Sequence, residues 1–315
     1  MSVTTMSALA RPQLLLIGAS VSWGTSTVTS KYALEGLTAT DLLGIEVGVA
    51  AVLLIGAAAA TGNLRPSSHW RAYALLAFFE PALTFALFNV GLAHTSATDA
   101  ALLVSLESVF AVLLAIALLH EHPGAFVFGA AVLGVGGAAL VSTGGDMNGA
   151  SLGGNLLVIA GVLAASMYVV LARKVAGREA ALTVTAYQFA FAFLMVLPVA
   201  LAGRSHLAHA GAGHLAAGLA TGVVGSAVPF LLYNLAVRTV TASRAAITLN
   251  LIPVFGVLAA FVLLGERPGL AQLAGGALIL MALGLVDRQA PSAGSGRRPR
   301  RVSSAEPRSA TSGQP

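Results

Sequence analysis

Long stretches without a formal charge limit what this chain can become. No Asp, Glu, Lys or Arg occurs between Arg11 and Lys31, Glu46 and Arg65, Glu121 and Asp146, or Asp146 and Arg173. The same holds from Glu179 to Arg204, Arg204 to Arg238, Arg244 to Glu266 and Arg267 to Asp287. Most of these gaps can hold the ~20 apolar residues that carry a helix across a bilayer. Only 9% of the residues are charged, against roughly a quarter in soluble domains. Mean hydropathy is +0.86. A water-soluble globule of this size is excluded, because it could not cover its surface with polar groups. The chain has no cysteine, which excludes disulfides, thiolate metal sites, cysteine nucleophiles and iron–sulfur clusters.

The pattern predicts an all-α polytopic membrane protein with ten transmembrane helices. They are expected near 13–34, 42–60, 70–92, 97–119, 125–142, 153–173, 182–202, 214–237, 243–264 and 269–286. The apolar run after Arg11 has span length and an internal counterpart, so it reads as a helix rather than a signal peptide. With the N-terminus in the cytoplasm, only Lys31, Arg204 and Arg267 of the 17 basic residues fall outside. Lys and Arg stay on the cytoplasmic side, so both termini are expected there, in a cell (plasma or inner) membrane. The expected organisation is a cytoplasmic segment 1–11, a first five-helix repeat 12–142, an extracytoplasmic linker 143–152, a second repeat 153–287 and a basic cytoplasmic tail 288–315. The tail has no apolar run and reads as disordered. Its Arg297–Arg301 cluster suits anionic headgroups or a solvated, topology-fixing tail.

The halves match at an offset of about 145, as internal transporter repeats do. Leu118-Leu119-His120-Glu121-His122-Pro123 corresponds to Leu263-Leu264-Gly265-Glu266-Arg267-Pro268. Val109-Phe110 corresponds to Val254-Phe255, and Phe88-Asn89 to Tyr233-Asn234. Slightly shifted, Lys31 falls on Arg173 and Glu46 on Gln188. Five crossings per copy make the second enter from the opposite side. Two inverted five-helix repeats can exchange conformations, opening one site alternately inward and outward.

Trp23-Gly24 with Lys31-Tyr32 resembles the start of an EamA domain. So do Ile247-Thr-Leu-Asn-Leu-Ile-Pro253-Val-Phe, Leu264-Gly-Glu266-Arg-Pro268 and the Gly275-Gly276 helix. Over about residues 12 to 287 the chain resembles, in two copies, the EamA family of the drug/metabolite transporter superfamily. The resemblance implies a ten-helix plasma-membrane carrier, in most members an exporter of amino acids, metabolites or drugs. It also implies a cavity between the first, third, fourth, sixth, eighth and ninth helices, with Trp23, Tyr168, Tyr233 and Asn250 as wall residues. The chain departs from the family pattern at Ser108, where proline is common, and at Glu46, where a basic residue is common.

Glu46, Glu80 and Glu107 interrupt apolar helices, and no Lys or Arg sits deep in a helix to neutralise them. A charge at mid-bilayer costs on the order of 2.5–3.5 kcal/mol. Such residues face an internal cavity or carry a proton. Either state suits proton coupling or capture of a cationic group. Each has a structural alternative, a hydrogen bond to a neighbouring helix. Glu80 and Glu107 are near helix centres. Glu46 is only about 6 Å from the expected start of its helix, where it can also reach water. Pro81, Pro198, Pro229 and Pro253 each remove a backbone donor, so they mark kinks that packing or gating can use. Asn250 lies one turn before Pro253. An aromatic wall suits amphipathic or cationic solutes.

Asn89 and Asn234 read as helix caps or interhelical glue. Glu121 and Glu266 read as repeat-related end residues bonding nearby polar groups. His206, His209 and His214 lack a carboxylate or thiolate companion, and His120-Glu121-His122 is too short for a zincin motif. No metal, cofactor or nucleic-acid partner is expected, and no oligomeric state is specified. With no P-loop or nucleophile elbow, energy must come from gradients. The leading reading is a secondary active exporter of small metabolites, amino acids or drugs, proton-linked through the embedded glutamates. A lipid-linked or sugar-nucleotide flippase lacks a basic cavity for phosphate. An intramembrane enzyme is the reading from a different class.

Overall fold

The computed structural model describes residues 3–119, 125–143, 151–172, 178–203, 205–239 and 248–287. His120–Gly124, the linker 144–150, Arg173, Lys174, Arg204, Arg244 and the tail from Arg288 lie outside the described residues. Every regular element among those described is helical. The long helices are α1 (Val3–Ala33), α2 (Ala39–Ala60), α3 (Trp70–Ala93), α4 (Ala97–Leu118) and α5 (Ala125–Thr143). The second half supplies α6 (Leu152–Ala172), α7 (Ala181–Ala202), α8 (Ala212–Ala236), α9 (Ile252–Leu264) and α10 (Leu270–Asp287). Six of these are long and apolar enough to cross a membrane within their described residues.

α2 begins three residues earlier than its apolar run predicts. Thr38 and Asp41 form a capping box, in which the Thr38 hydroxyl accepts from the Asp41 N–H (3.1 Å) and the Asp41 carboxylate from the Thr38 N–H (3.2 Å). Two orphan donors at the helix start are thereby satisfied. This places Glu46 seven residues into the helix, about 10 Å from its start, deeper than the sequence suggests.

The principal helix contacts come in repeat-related pairs. α1 packs on α8 and α9, and α6 packs on α3 and α4. α2 packs on α8, and α7 on α3. The pairs α2 with α7, α4 with α9 and α5 with α10 each join an element to its counterpart. Exchanging each helix with the fifth one after it reproduces these main contacts, which is a pseudo-two-fold arrangement. Five helices per half then make the halves inverted.

At the α5–α10 crossing the backbones almost touch. A Cβ on Gly137 would lie 2.6 Å from the Gly275 carbonyl oxygen, and one on Gly275 would lie 2.5 Å from that of Gly137. Small residues allow this approach, and packing rather than hydrophobicity holds helices together in lipid. Large apolar side chains such as Val52, Leu201 and Leu270 point outward. Trp70 is exposed at the start of α3, with the Arg71 guanidinium 5.3 Å from its ring centroid. That pairing suits a membrane interface.

Candidate functional site

Four helices lose regularity at related positions. In α3 the turn widens over Phe78–Leu83, and Glu80 is fully extended (φ −145°, ψ 122°). Pro81 provides the reason, since it cannot donate to the preceding turn. Side chains partner the groups released there. Gln188 Nε2 of α7 donates to the Glu80 carbonyl (2.7 Å), and Thr84 Oγ1 to the Phe79 carbonyl (2.8 Å). In α8 the counterpart turn widens over Thr221–Ala227, and Pro229 opens the regular segment that follows. α4 tightens at Ser105, whose N–H reaches the Leu102 carbonyl (3.1 Å), two residues before Glu107. The chain entering α9 tightens at Leu251, bonded to the Thr248 carbonyl (3.1 Å), between Asn250 and Pro253. Irregular backbone at membrane depth occurs where protein or a cavity supplies partners. Pro198 is different, because α7 runs through it without interruption.

The sequence-selected residues separate into a cluster and outliers. Glu80 and Glu107 are both half-buried, each beside the interruption of its helix. The Glu107 carboxyl acts electrostatically on that of Glu80, and both act on the Tyr168 hydroxyl, as does Tyr233. Ser166 Oγ of α6 bonds the Glu107 carbonyl (3.0 Å), which fixes α6 against α4. An aromatic cluster packs on Tyr168. Trp23 lies 5.8 Å from Tyr233 and 5.3 Å from Phe230, centroid to centroid. Phe230 also meets Tyr168 (6.4 Å), Phe85 (6.2 Å) and Phe189 (5.1 Å). Trp23, Tyr168 and Tyr233 thus gather with both carboxyls. Asn250 is half-buried at the bend leading into α9, on the side chain's own turn beside Pro253, where α9 packs on α1.

Glu46 does not reach water. It is 4% exposed and accepts a hydrogen bond from Asn89 Nδ2 at 2.6 Å. Asn234 Nδ2 bonds Thr185 Oγ1 at 2.8 Å. Each Asn therefore ties the third helix of its half to the second, as interhelical glue. Of the histidines, His214 packs on Tyr32 (5.0 Å). Among the described residues no three His, Asp or Glu gather as a metal site.

Sequence reasoning missed two things. One is the aromatic hub Phe230, together with Gln188. Their signals were the Pro229 neighbour and the repeat match of Gln188 to Glu46. The other is a polar network at one end of the bundle. Asp99 is fully buried, accepts from Asn155 Nδ2 (2.8 Å) and from Gln272 Nε2, and Thr95 Oγ1 bonds Asn155. Beside it, Lys31 Nζ donates to the Leu92 (2.9 Å) and Thr95 (2.6 Å) carbonyls. The Glu266 carboxylate accepts from the N–H groups of Ala97 (2.8 Å) and Thr98 (2.7 Å). Glu266 is thus the end residue its repeat position suggested. Glu121, its counterpart, lies outside the described residues.

The model of the EamA-like transporter family matches residues 11–143 and again 152–286. The chain belongs to the EamA-like transporter family. The "Probable terminal-alkyne amino-acid exporter" of Streptantibioticus cattleyicolor is 28% identical over 271 residues, covering 85% of this chain and 91% of that protein. An uncharacterized transporter of Archaeoglobus fulgidus is 26% identical over 278 residues, covering 86% and 95%. The uncharacterized transporter YcxC of Bacillus subtilis is 28% identical over 218 residues, covering 66% and 70%. One solved crystal structure superposes with a TM-score of 0.63 at 20% identity, covering 90% of this chain and 99% of its own, which speaks for the fold. This EamA protein is a multi-pass membrane transporter of small molecules rather than an enzyme.

Proposed function

We propose that the chain is a secondary active exporter of small metabolites, amino acids or drugs, working by alternating access and coupled to protons through Glu80 and Glu107. The observation that carries this reading is the carboxyl pair at the interruptions of α3 and α4, close enough to act on each other and on the Tyr168 hydroxyl. Two interacting carboxyls titrate as a unit and can exchange one proton for solute. Trp23, Tyr168, Tyr233 and Asn250 line the solute path, and Pro81, Pro229 and Pro253 provide the bends about which the halves rearrange. The inverted repeats, taken as 12–142 and 153–287 around the linker 143–152, exchange shapes to move the opening from one side to the other. The basic asymmetry orients the segment 1–11 and the tail 288–315 to the cytoplasm of a cell membrane. Export is supported by the S. cattleyicolor relative, which is named as a probable amino-acid exporter.

Reconstitution in proteoliposomes with an imposed pH gradient tests the proposal. Glu107→Gln and Glu80→Gln keep volume and hydrogen bonding while removing the titrating group. Both variants are expected to lose gradient-driven accumulation, falling to the level seen without a gradient. Solute-for-solute exchange is expected to survive in at least one. If both variants and the double variant accumulate solute like the wild type, the carboxyls are structural and coupling lies elsewhere.

A further inference from the structure

We propose that Lys31 and Glu266 clasp a gate at the end of the bundle where α1 and α3 finish and α4 begins, and that their release lets α9 part from α1 and α4. The proposal rests on the carrier reading above, in which one end opens at a time. In the orientation proposed there, this is the outer end.

Three observations lead here. First, the faces that meet are built from small side chains. Val28 of α1, Ala97 of α4, and Ala259 and Ala260 of α9 form one buried cluster. Farther in, a Cβ on Gly256 of α9 would lie 2.6 Å from that of Ala101 of α4, and one on Gly24 of α1 would lie 2.6 Å from the Ile252 carbonyl oxygen. Small residues let helices approach closely, and they leave smooth faces that separate without unlocking large side chains. Second, polar bonds hold the rim. The Glu266 carboxylate, from the second half, accepts from the N–H groups of Ala97 (2.8 Å) and Thr98 (2.7 Å). Lys31 Nζ donates to the Leu92 (2.9 Å) and Thr95 (2.6 Å) carbonyls and so draws the end of α1 onto the turn between α3 and α4. Asp99 accepts from Asn155 Nδ2 (2.8 Å) and Gln272 Nε2, both of the second half. Bonds of this kind can be exchanged for bonds to water at modest net cost. Third, Thr98 Oγ1 is buried beside the clasp and has no hydrogen-bond partner. An unpaired buried hydroxyl penalises the closed arrangement, and water entering this end would satisfy it.

The chain has no cysteine, so single introduced thiols report opening. Val28→Cys places one in the seal. Ser105→Cys places one about 12 Å beyond Ala97, four residues after Ala101 in the row that Ala97 and Ala101 begin along α4. Val170→Cys, buried near the opposite end of α6, is the control. The probe is a small charged methanethiosulfonate reagent, applied to the purified full-length protein in detergent. Glu266→Ala and Lys31→Met are each expected to speed labelling at Val28→Cys and Ser105→Cys by about tenfold or more, with Val170→Cys unchanged. Unchanged rates at the first two positions overturn the proposal. Equal acceleration at Val170→Cys also overturns it, because the bundle is then loosened as a whole. Acceleration at Val28→Cys alone does so too, because only the rim then frays. The two variants act on different sides of the turn between α3 and α4, so either decides if the other does not fold. No solute enters this measurement. Absence of gradient-driven accumulation together with clasp-dependent labelling would sink the coupling and leave the gate. Normal accumulation with unchanged labelling would do the reverse.

Discussion

Glu46 and Glu107 have the same chemistry and opposite surroundings. Asn89 holds the buried Glu46 carboxyl at 2.6 Å, in a contact that joins α2 to α3. Glu107 keeps accessible surface beside Glu80. Glu46→Gln preserves the acceptor for Asn89 and is expected to retain gradient-driven transport. Asn89→Leu leaves the buried carboxyl without its donor, a loss of ~1–3 kcal/mol, expected as a lower thermal midpoint in detergent. A Glu46→Gln variant that loses accumulation while unfolding at the wild-type temperature would place Glu46 in the transport cycle. That all three carboxyls interrupt apolar helices was legible in the sequence, where charged groups in such runs are rare. Which of them find a partner was not, since Asn89 is 43 residues from Glu46.

Helix ends and interruptions show the next scale. Prolines foretold the bends at Pro81, Pro229 and Pro253, yet Pro198 causes none, because loss of one donor breaks a helix only where other groups can take the freed carbonyls. In α3 Gln188 and Thr84 take that part. The start of α4 depends on a residue from elsewhere, the Glu266 carboxylate, which accepts from two of its first N–H groups. Charge-assisted bonds of this kind are worth about 1.5–3 kcal/mol each. Glu266→Ala is therefore expected to speed amide hydrogen exchange at Ala97 and Thr98 by about tenfold or more, with exchange in α7 unchanged. Unaltered protection at these two amides would show that α4 is held without the cap.

The whole molecule is organised by its pseudo-two-fold packing. α1 on α8 and α9 mirrors α6 on α3 and α4, and with five helices in each half the two run in opposite senses through one membrane. Single cysteines at Ser2, Gly149 and Ser312 are expected to react with an impermeant reagent from outside the cell only at Gly149. External labelling at Ser312 would invert the proposed orientation. The sequence matches already implied the repeat, and the odd number of crossings implied its inversion. They did not say that α5 and α10 meet through Gly137 and Gly275, a contact set by backbone approach rather than by pattern.

What the sequence determined by itself is what depends on partition between lipid and water. Span lengths, the position of each polar interruption and the five-helix period all follow from where apolar runs begin and end. Azimuth was decided only in the folded bundle. Each residue turns the side chain by about 100° around a helix, so a small rotation separates a carboxyl facing a cavity from one facing a neighbour. Packing on the neighbouring helices sets that angle, and through it brings Glu80, Glu107, Tyr168, Tyr233 and Trp23 together while turning Glu46 toward Asn89.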